Sequence, residues 1–205
     1  DINHGCSGYI YGLKLADSLL YSKEIKKVLL ITTDNYSRYS KKLNVKLLFS
    51  DCATATILVK SKNKPKFKFF SDGYNYSNLC QQNNNYMSDI NNNSLIMDGN
   101  KLFNFSLNVV PKLIDELIKK NRLKRKDLDY VLLHQASNII NQNIINKLKM
   151  DKNKFLINYN KYGNTVSSTI PLLIYENFKK LKNRKILLCG FGVGLSAASC
   201  YYEFK

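Results

Sequence analysis

The sequence lacks any apolar run near the roughly 20 residues that a membrane-spanning helix needs. It also lacks the opening order of a signal peptide, a basic segment followed by an apolar one. A soluble, cytoplasmic protein with no membrane partner is the expectation. Cysteine pairing is missing too: Cys6, Cys52, Cys80, Cys189 and Cys200 are an odd count, none spaced as CxxC, and only 2 histidines are present. That combination argues against a disulfide framework and against a zinc site, so no metal is expected. Acidic residues are few, 15 against 32 Lys plus Arg, for a formal net charge of +17. Clustered cations bind phosphates by counterion release, but here the positive residues are almost all Lys, scattered among frequent Asn. They do not build an Arg-rich reading helix, which excludes nucleic acid and keeps electrostatic steering of an acidic partner. The chain starts at Asp1 rather than Met, at the lip of what reads as a buried strand, so an upstream part is expected.

What is present suffices for one core, or two small lobes sharing one: 205 residues, 44% hydrophobic. Ile10, Leu13, Ala16, Leu19 and Leu20 recur at helical spacing and predict a helix over residues 7–22. Cys6 then sits at the N-terminal end of that helix, where the macrodipole favours a thiolate. KVLLITT (27–33) and DCATATILVK (51–60) read as strands covered on both faces, which implies helical layers around a sheet. Cys52, Cys189 and Cys200 lie in such apolar runs and read as small buried hydrophobes.

From Lys62 to about Asn93 the chain turns polar, with KFKFF (66–70) as a strand and QQNNNY and INNNS as loops. This divides the chain into a first half (1–62), a linker (63–96) and a second half (97–205). The second half predicts helices over 102–121, 138–149 and 166–181, and strands over 129–135, 185–191 and 195–204.

A nucleophilic cysteine needs a lowered pKa, a proton-handling or hydrogen-bonding neighbour, and donors aimed at the charge that develops on a carbonyl oxygen. Cys6 is the candidate nucleophile. His134 ends a strand in VLLHQAS, Asn164 lies in the turn YGNTVSST, and GFGVG (190–194) can bring backbone N–H groups close to a ligand. Alone, each has an ordinary structural use, as a satisfied strand-end histidine, a turn asparagine or a hairpin loop.

Together they form a pattern. CSGYIYGL, LLFSD, MDGNKLFNF, HQAS, YGNTVSSTIPL and GFGVGLS occur in the order, and at about the separations, of the β-ketoacyl-acyl-carrier-protein synthase III family. The chain resembles that family over nearly its whole length, with CSG, HQA and GNT the most diagnostic words.

The resemblance implies a thiolase-like layered αβαβα fold of class α/β, with a truncated first half carrying the nucleophile and a complete second half carrying His and Asn. The part upstream of the cysteine would supply some of the acyl pocket, CoA contacts and much of a homodimer interface. It also implies roles. Cys6 would attack an acyl thioester, the backbone amides of Cys6 and Val193 would form the oxyanion hole, and His134 and Asn164 would stabilise the enolate left by decarboxylation of a malonyl thioester. Gly99, Asn100, Phe103, Ala136 and Ser137 match positions that line the pantetheine tunnel. Acyl-CoA and an acidic acyl carrier protein would be the partners, with no metal or redox cofactor.

The departures are specific. Leu43 stands where an Arg commonly helps hold the CoA nucleotide, Ser137 where an Asn contacts pantetheine, and Ile139 where an Arg is associated with carrier docking; LFSDCATA replaces LFGDGAGA. These leave two alternatives open: transfer of the acyl group to an oxygen or nitrogen nucleophile, or a truncated, inactive copy.

Overall fold

The structure is a computed structural model that describes residues 1–36, 43–82 and 94–204. A 3-10 turn (Gly5–Ser7) leads into α1 (Gly8–Leu19), which is followed by β1 (Lys27–Asp34), the short α2 (Leu43–Lys46) and β2 (Cys52–Val59). Next come β3 (Lys66–Ser71), β4 (Leu79–Gln82), β5 (Ser94–Met97) and the long α3 (Gly99–Lys120). The chain closes with β6 (Tyr130–Leu133), α4 (Asn138–Leu148), α5 (Tyr159–Tyr162), α6 (Thr169–Glu176), α7 (Phe178–Leu181), β7 (Arg184–Gly192) and β8 (Ser196–Phe204).

Among the described residues, β1 and β2 form an antiparallel pair with Lys27 opposite Val59 and Asp34 opposite Cys52. A four-stranded sheet has the order β3-β8-β7-β6, in which only β6 and β7 run parallel, and β4 pairs with β5. The layers stack as the β1–β2 pair, then α1 and α6, then the four-stranded sheet, then α3 with α4. β7 is buried from Ile186 to Gly192, so its run ILLCGFG reads as it should for a strand with helices on both faces. One apolar cluster lies between this sheet and α3–α4, around Val110, Ile114, Leu117, Val131 and Leu187; the other, around Ile10, Ile170, Leu173 and Leu188, lies on the α1–α6 side.

Local chemistry sets the element ends. α3 buries Leu102, Phe105, Val110, Leu113, Ile114 and Leu117 along one stripe, and Asp98 caps it by accepting the Lys101 N–H at 3.0 Å. The helix predicted over 166–181 is broken: α6 stops at Glu176 because Asn177 leaves helical geometry (φ −111°), and its side chain bonds Leu173 O at 2.9 Å. Residues 63–96, polar in composition, hold β3, which pairs into the second-half sheet, and the β4–β5 pair; most of QQNNNY and INNNS lies outside the described residues.

The pattern of β1 and β2 differs from the two-sided burial that their composition suggests. Burial alternates, and Leu29, Ile31, Ile57 and Val59 are 57–69% exposed on one face. The other face packs on α1 and α6, closely enough that a Cβ at Gly12 would lie 2.6 Å from Leu30 Cδ1. Among the described residues nothing covers the outer face, so an apolar run that fits two-sided burial is wetted on one side.

This asymmetry is measurable. Ile31→Thr with Ile57→Thr should change the unfolding free energy by no more than about 0.5 kcal/mol while lowering self-association in size-exclusion chromatography. Ile114→Ala, in the buried α3 stripe, should cost about 2–5 kcal/mol in urea unfolding.

Candidate active site

Cys6 lies in the 3-10 turn before α1 and is 7% exposed. Its turn rests on the end of β7, where two glycines make room. A Cβ at Gly190 would sit 2.7 Å from Cys6 O, and one at Gly192 (φ +154°) would sit 2.9 Å from Cys6 Cβ and 3.0 Å from Sγ. Only a strand without side chains there lets the cysteine turn lie flat. The thiol is pushed up to about 12, first by burial and next by the Asp34 carboxylate; the N–H groups of Val193 and of Cys6 itself pull the other way. Burial thus acts against the thiolate that a position at a helix start favours.

Val193 supplies one of those N–H groups, and the peptide that carries its carbonyl is clamped. Ser196 Oγ donates to Val193 O at 2.7 Å, and Ser7 Oγ lies 2.7 Å from Ser196 Oγ. The two amides assigned to an oxyanion hole both favour the ionised form of the Cys6 thiol.

His134 follows β6 and is buried. Its N–H donates to Cys189 O at 2.8 Å, and its carbonyl accepts from Ala136 N at 3.0 Å and Asn141 Nδ2 at 3.1 Å. The Phe191 ring meets the imidazole edge-on with centroids 5.4 Å apart. Burial drives the imidazole down to about 3, against a hydrogen bond to the Val166 carbonyl that raises it. It is neutral at pH 7. Nδ1 lies 2.8 Å from Thr169 Oγ1, which is also 3.1 Å from Val166 O. That hydroxyl accommodates either tautomer: donating to Val166 O it accepts from Nδ1–H, and donating to Nδ1 it leaves the proton on Nε2.

Asn164 is held by the first half. Its N–H donates to Leu48 O at 3.0 Å and its carbonyl accepts from Ser50 N at 2.9 Å, both within LLFSD. Its side chain donates to Ala136 O at 3.3 Å and accepts from Val166 N at 2.9 Å. Val166 in turn sits beside Gly5, the residue before the cysteine. Cys6, His134 and Asn164 are therefore brought into one cluster through shared neighbours: Gly192 and Phe191 on one side, Val166 and Thr169 on the other.

The positions matched to a pantetheine tunnel divide. Ala136 and Ser137 lie between β6 and α4, and Ala136 O is the partner of Asn164, while the Ser137 hydroxyl caps α4 by accepting Ile140 N at 3.2 Å. Gly99, Asn100 and Phe103 lie in the first turns of α3. Leu43 and Ile139, which replace expected arginines, are 70% and 69% exposed. Asp34, Thr169, Ser7 and Ser196 carried no signal of a role in the sequence, since each acts through a partner distant in the chain. Among the described residues no group of three or more His, Cys, Asp or Glu is placed to hold a metal, and no helix is long and apolar enough to cross a membrane.

Residues 1–73 match the family described as 3-oxoacyl-[acyl-carrier-protein] synthase III, and residues 118–204 match its C-terminal region. A solved 3-oxoacyl-(acyl-carrier-protein) synthase III is 33% identical, with a TM-score of 0.89 over 100% of this chain and 68% of its own. The chain belongs to the 3-oxoacyl-[acyl-carrier-protein] synthase III family. The family member from Burkholderia xenovorans LB400 superposes with a TM-score of 0.91 at 31% identity, over 100% of this chain and 63% of that one. Curated members from Clostridium tetani and Clostridium botulinum (strain Okra / Type B1) are 34% and 35% identical over 97% and 96% of this chain. The chain spans 66% and 64% of their respective lengths. Its fold is the thiolase-like α/β fold of the family's solved members.

The resting thiol is shielded from solvent, and reagent order should show it. Cys6, Cys189 and Cys200 are buried, whereas Cys52 and Cys80 are partly exposed. Iodoacetamide at pH 7 should label Cys52 and Cys80 before Cys6, read by peptide mapping, the reverse of the order that a dipole-activated Cys6 implies. The buried histidine has its own signature. Its folded pKa lies below the unfolded value of about 6.5, so the unfolded state binds the extra proton. Stability then falls as pH drops from about 6.5 toward 3, with a slope approaching about 1.4 kcal/mol per pH unit. His134→Asn should flatten that part of the slope in thermal unfolding followed against pH.

Proposed function

We propose that the chain carries the reaction centre of a decarboxylative condensing acyltransferase in fatty acid biosynthesis. The observation that supports it most is the convergence on one thiol of two backbone N–H groups, from Cys6 and Val193, beside a neutral His134 and an Asn164 locked in place.

The chemistry runs in two stages. Cys6 Sγ attacks the carbonyl carbon of an acyl-CoA, and the negative charge that develops on the carbonyl oxygen is met by the two N–H groups. The carbon–sulfur bond to CoA breaks, and the CoA thiolate leaves with the proton that Cys6 gave up. A thiol near 12 is a weak resting nucleophile, so the proton moves only with a thioester bound, which protects the cysteine from adventitious electrophiles. A malonyl thioester then loses CO₂, leaving an enolate whose oxygen accepts from His134 Nε2–H and Asn164 Nδ2–H. A neutral imidazole donates through Nε2 when Thr169 donates to Nδ1. The carbanion attacks the acyl-cysteine carbonyl, the new carbon–carbon bond replaces the carbon–sulfur bond, and the Cys6 thiolate takes back a proton from solvent. Gly99, Asn100, Phe103, Ala136 and Ser137 would line the path of the thioester arm. These steps call for no metal or redox cofactor.

The formal charge of +17 suits steering of an acidic carrier protein, and a cytoplasmic homodimer is the assembly proposed for the complete protein. The exposed apolar Leu43 and Ile139 favour a second reading of the acceptor, in which the acyl-cysteine forms as above but the acyl group passes to an oxygen or nitrogen nucleophile.

Intact-mass analysis after incubation with acetyl-CoA should show an acetyl adduct that is absent in Cys6→Ala. His134→Ala and Asn164→Ala should keep the adduct and lose at least about 100-fold in malonyl-thioester decarboxylation. An unchanged decarboxylation rate would reject their role, and no adduct on the parent would reject the nucleophile.

A further inference from the structure

A carboxylate outside the Cys–His–Asn set reaches into this centre from the first half. Asp34 ends β1, and its Oδ2 accepts both the backbone N–H of Ser167, at 3.1 Å, and the Ser167 hydroxyl, in a very short contact. Ser167 lies in the loop that runs from Asn164, whose side chain accepts Val166 N, to Thr169, whose hydroxyl meets His134 Nδ1. Two residues earlier on the same face of β1, Thr32 Oγ1 lies 2.8 Å from Ser168 Oγ and 2.7 Å from Thr54 Oγ1. The strand thus grips consecutive residues of the loop with alternate side chains of its own.

We propose that Asp34 is a positioning residue: its two bonds to Ser167 hold the Asn164–Thr169 loop against the cysteine turn. The loop is held in a conformation it would not adopt by itself, since Val166 has φ +51°, costly for a β-branched residue. Asp34 faces two titratable groups, Cys6 from the turn before α1 and Cys52 directly opposite on β2, and its charge disfavours ionisation of both. Its own carboxyl is held above the ordinary carboxylate range by burial, which the Ser167 bonds counter. The inference rests on reading Cys6 as the nucleophile, but its test does not require turnover.

The test compares Asp34→Asn, which keeps an acceptor for Ser167 N and a donor for Ser167 Oγ while removing the charge, with Asp34→Ala, which removes both. Iodoacetamide labelling of Cys6 is followed by peptide mapping from pH 7 to 9.5, below the thiol's own titration. Asp34→Asn should move the profile lower by about one pH unit, which is about tenfold faster labelling at each pH, with the melting temperature close to the parent's. Cys52 should shift the same way and Cys189 should not. Asp34→Ala should label several-fold faster again, because the released loop opens the thiol to reagent. If Asp34→Ala does not fold, Ser167→Ala, which keeps the charge, should show that opening without the pH shift. Equal rates in Asp34→Asn and Asp34→Ala, or in Ser167→Ala and the parent, overturn the clamp. The acetyl-adduct measurement reports separately on whether Cys6 is the nucleophile.

Discussion

The contact between the cysteine turn and the glycines of β7 governs the rest of the centre. Backbone meets backbone there, with no room for a Cβ at Gly190 or Gly192, and that closeness sets Sγ against Gly192. The same closeness removes the thiol from water and raises it. One packing constraint therefore creates both the donors for a developing oxyanion and the barrier to ionisation before a substrate arrives.

Around that contact, polar groups join the two halves alongside the apolar packing of α1. LLFSD holds the Asn164 backbone, β1 holds Ser167 and Ser168, and Ser7 meets Ser196 across the cysteine turn. Buried hydroxyl and amide bonds of this kind are directional, and leaving one unmade costs about 1–3 kcal/mol. They fix distances that apolar packing alone would leave adjustable.

Much of this was legible in the sequence, for identifiable reasons. Long periodic segments such as α3, and the apolar runs of β6, β7 and β8, carry their structure locally, and the words CSG, HQA and GNT mark the three side chains that meet in the cluster. What was not legible depends on tertiary proximity. Asp34 and Ser167 are 133 residues apart, and Ser7 and Ser196 are 189 apart, so no window of sequence links them. The burial of the Cys6 thiol was not legible either, because a helix end is a local feature while burial is a global one. The break at Asn177 was missed because a side chain competing for a backbone carbonyl leaves the apolar periodicity intact.

The wetted face of β1 has a consequence for how the molecule loosens. Among the described residues, the four-stranded sheet and its α3–α4 layer hold most of the fully buried side chains, whereas the β1–β2 pair is covered on a single side. Opening free energies differ between such regions, and a strand pair with one dry face belongs to the weaker cooperative unit. Yet β1 is the strand that grips the loop between Asn164 and Thr169. Within the described residues, detaching this pair would release the loop between Asn164 and Thr169 while the contacts of the larger core stay in place.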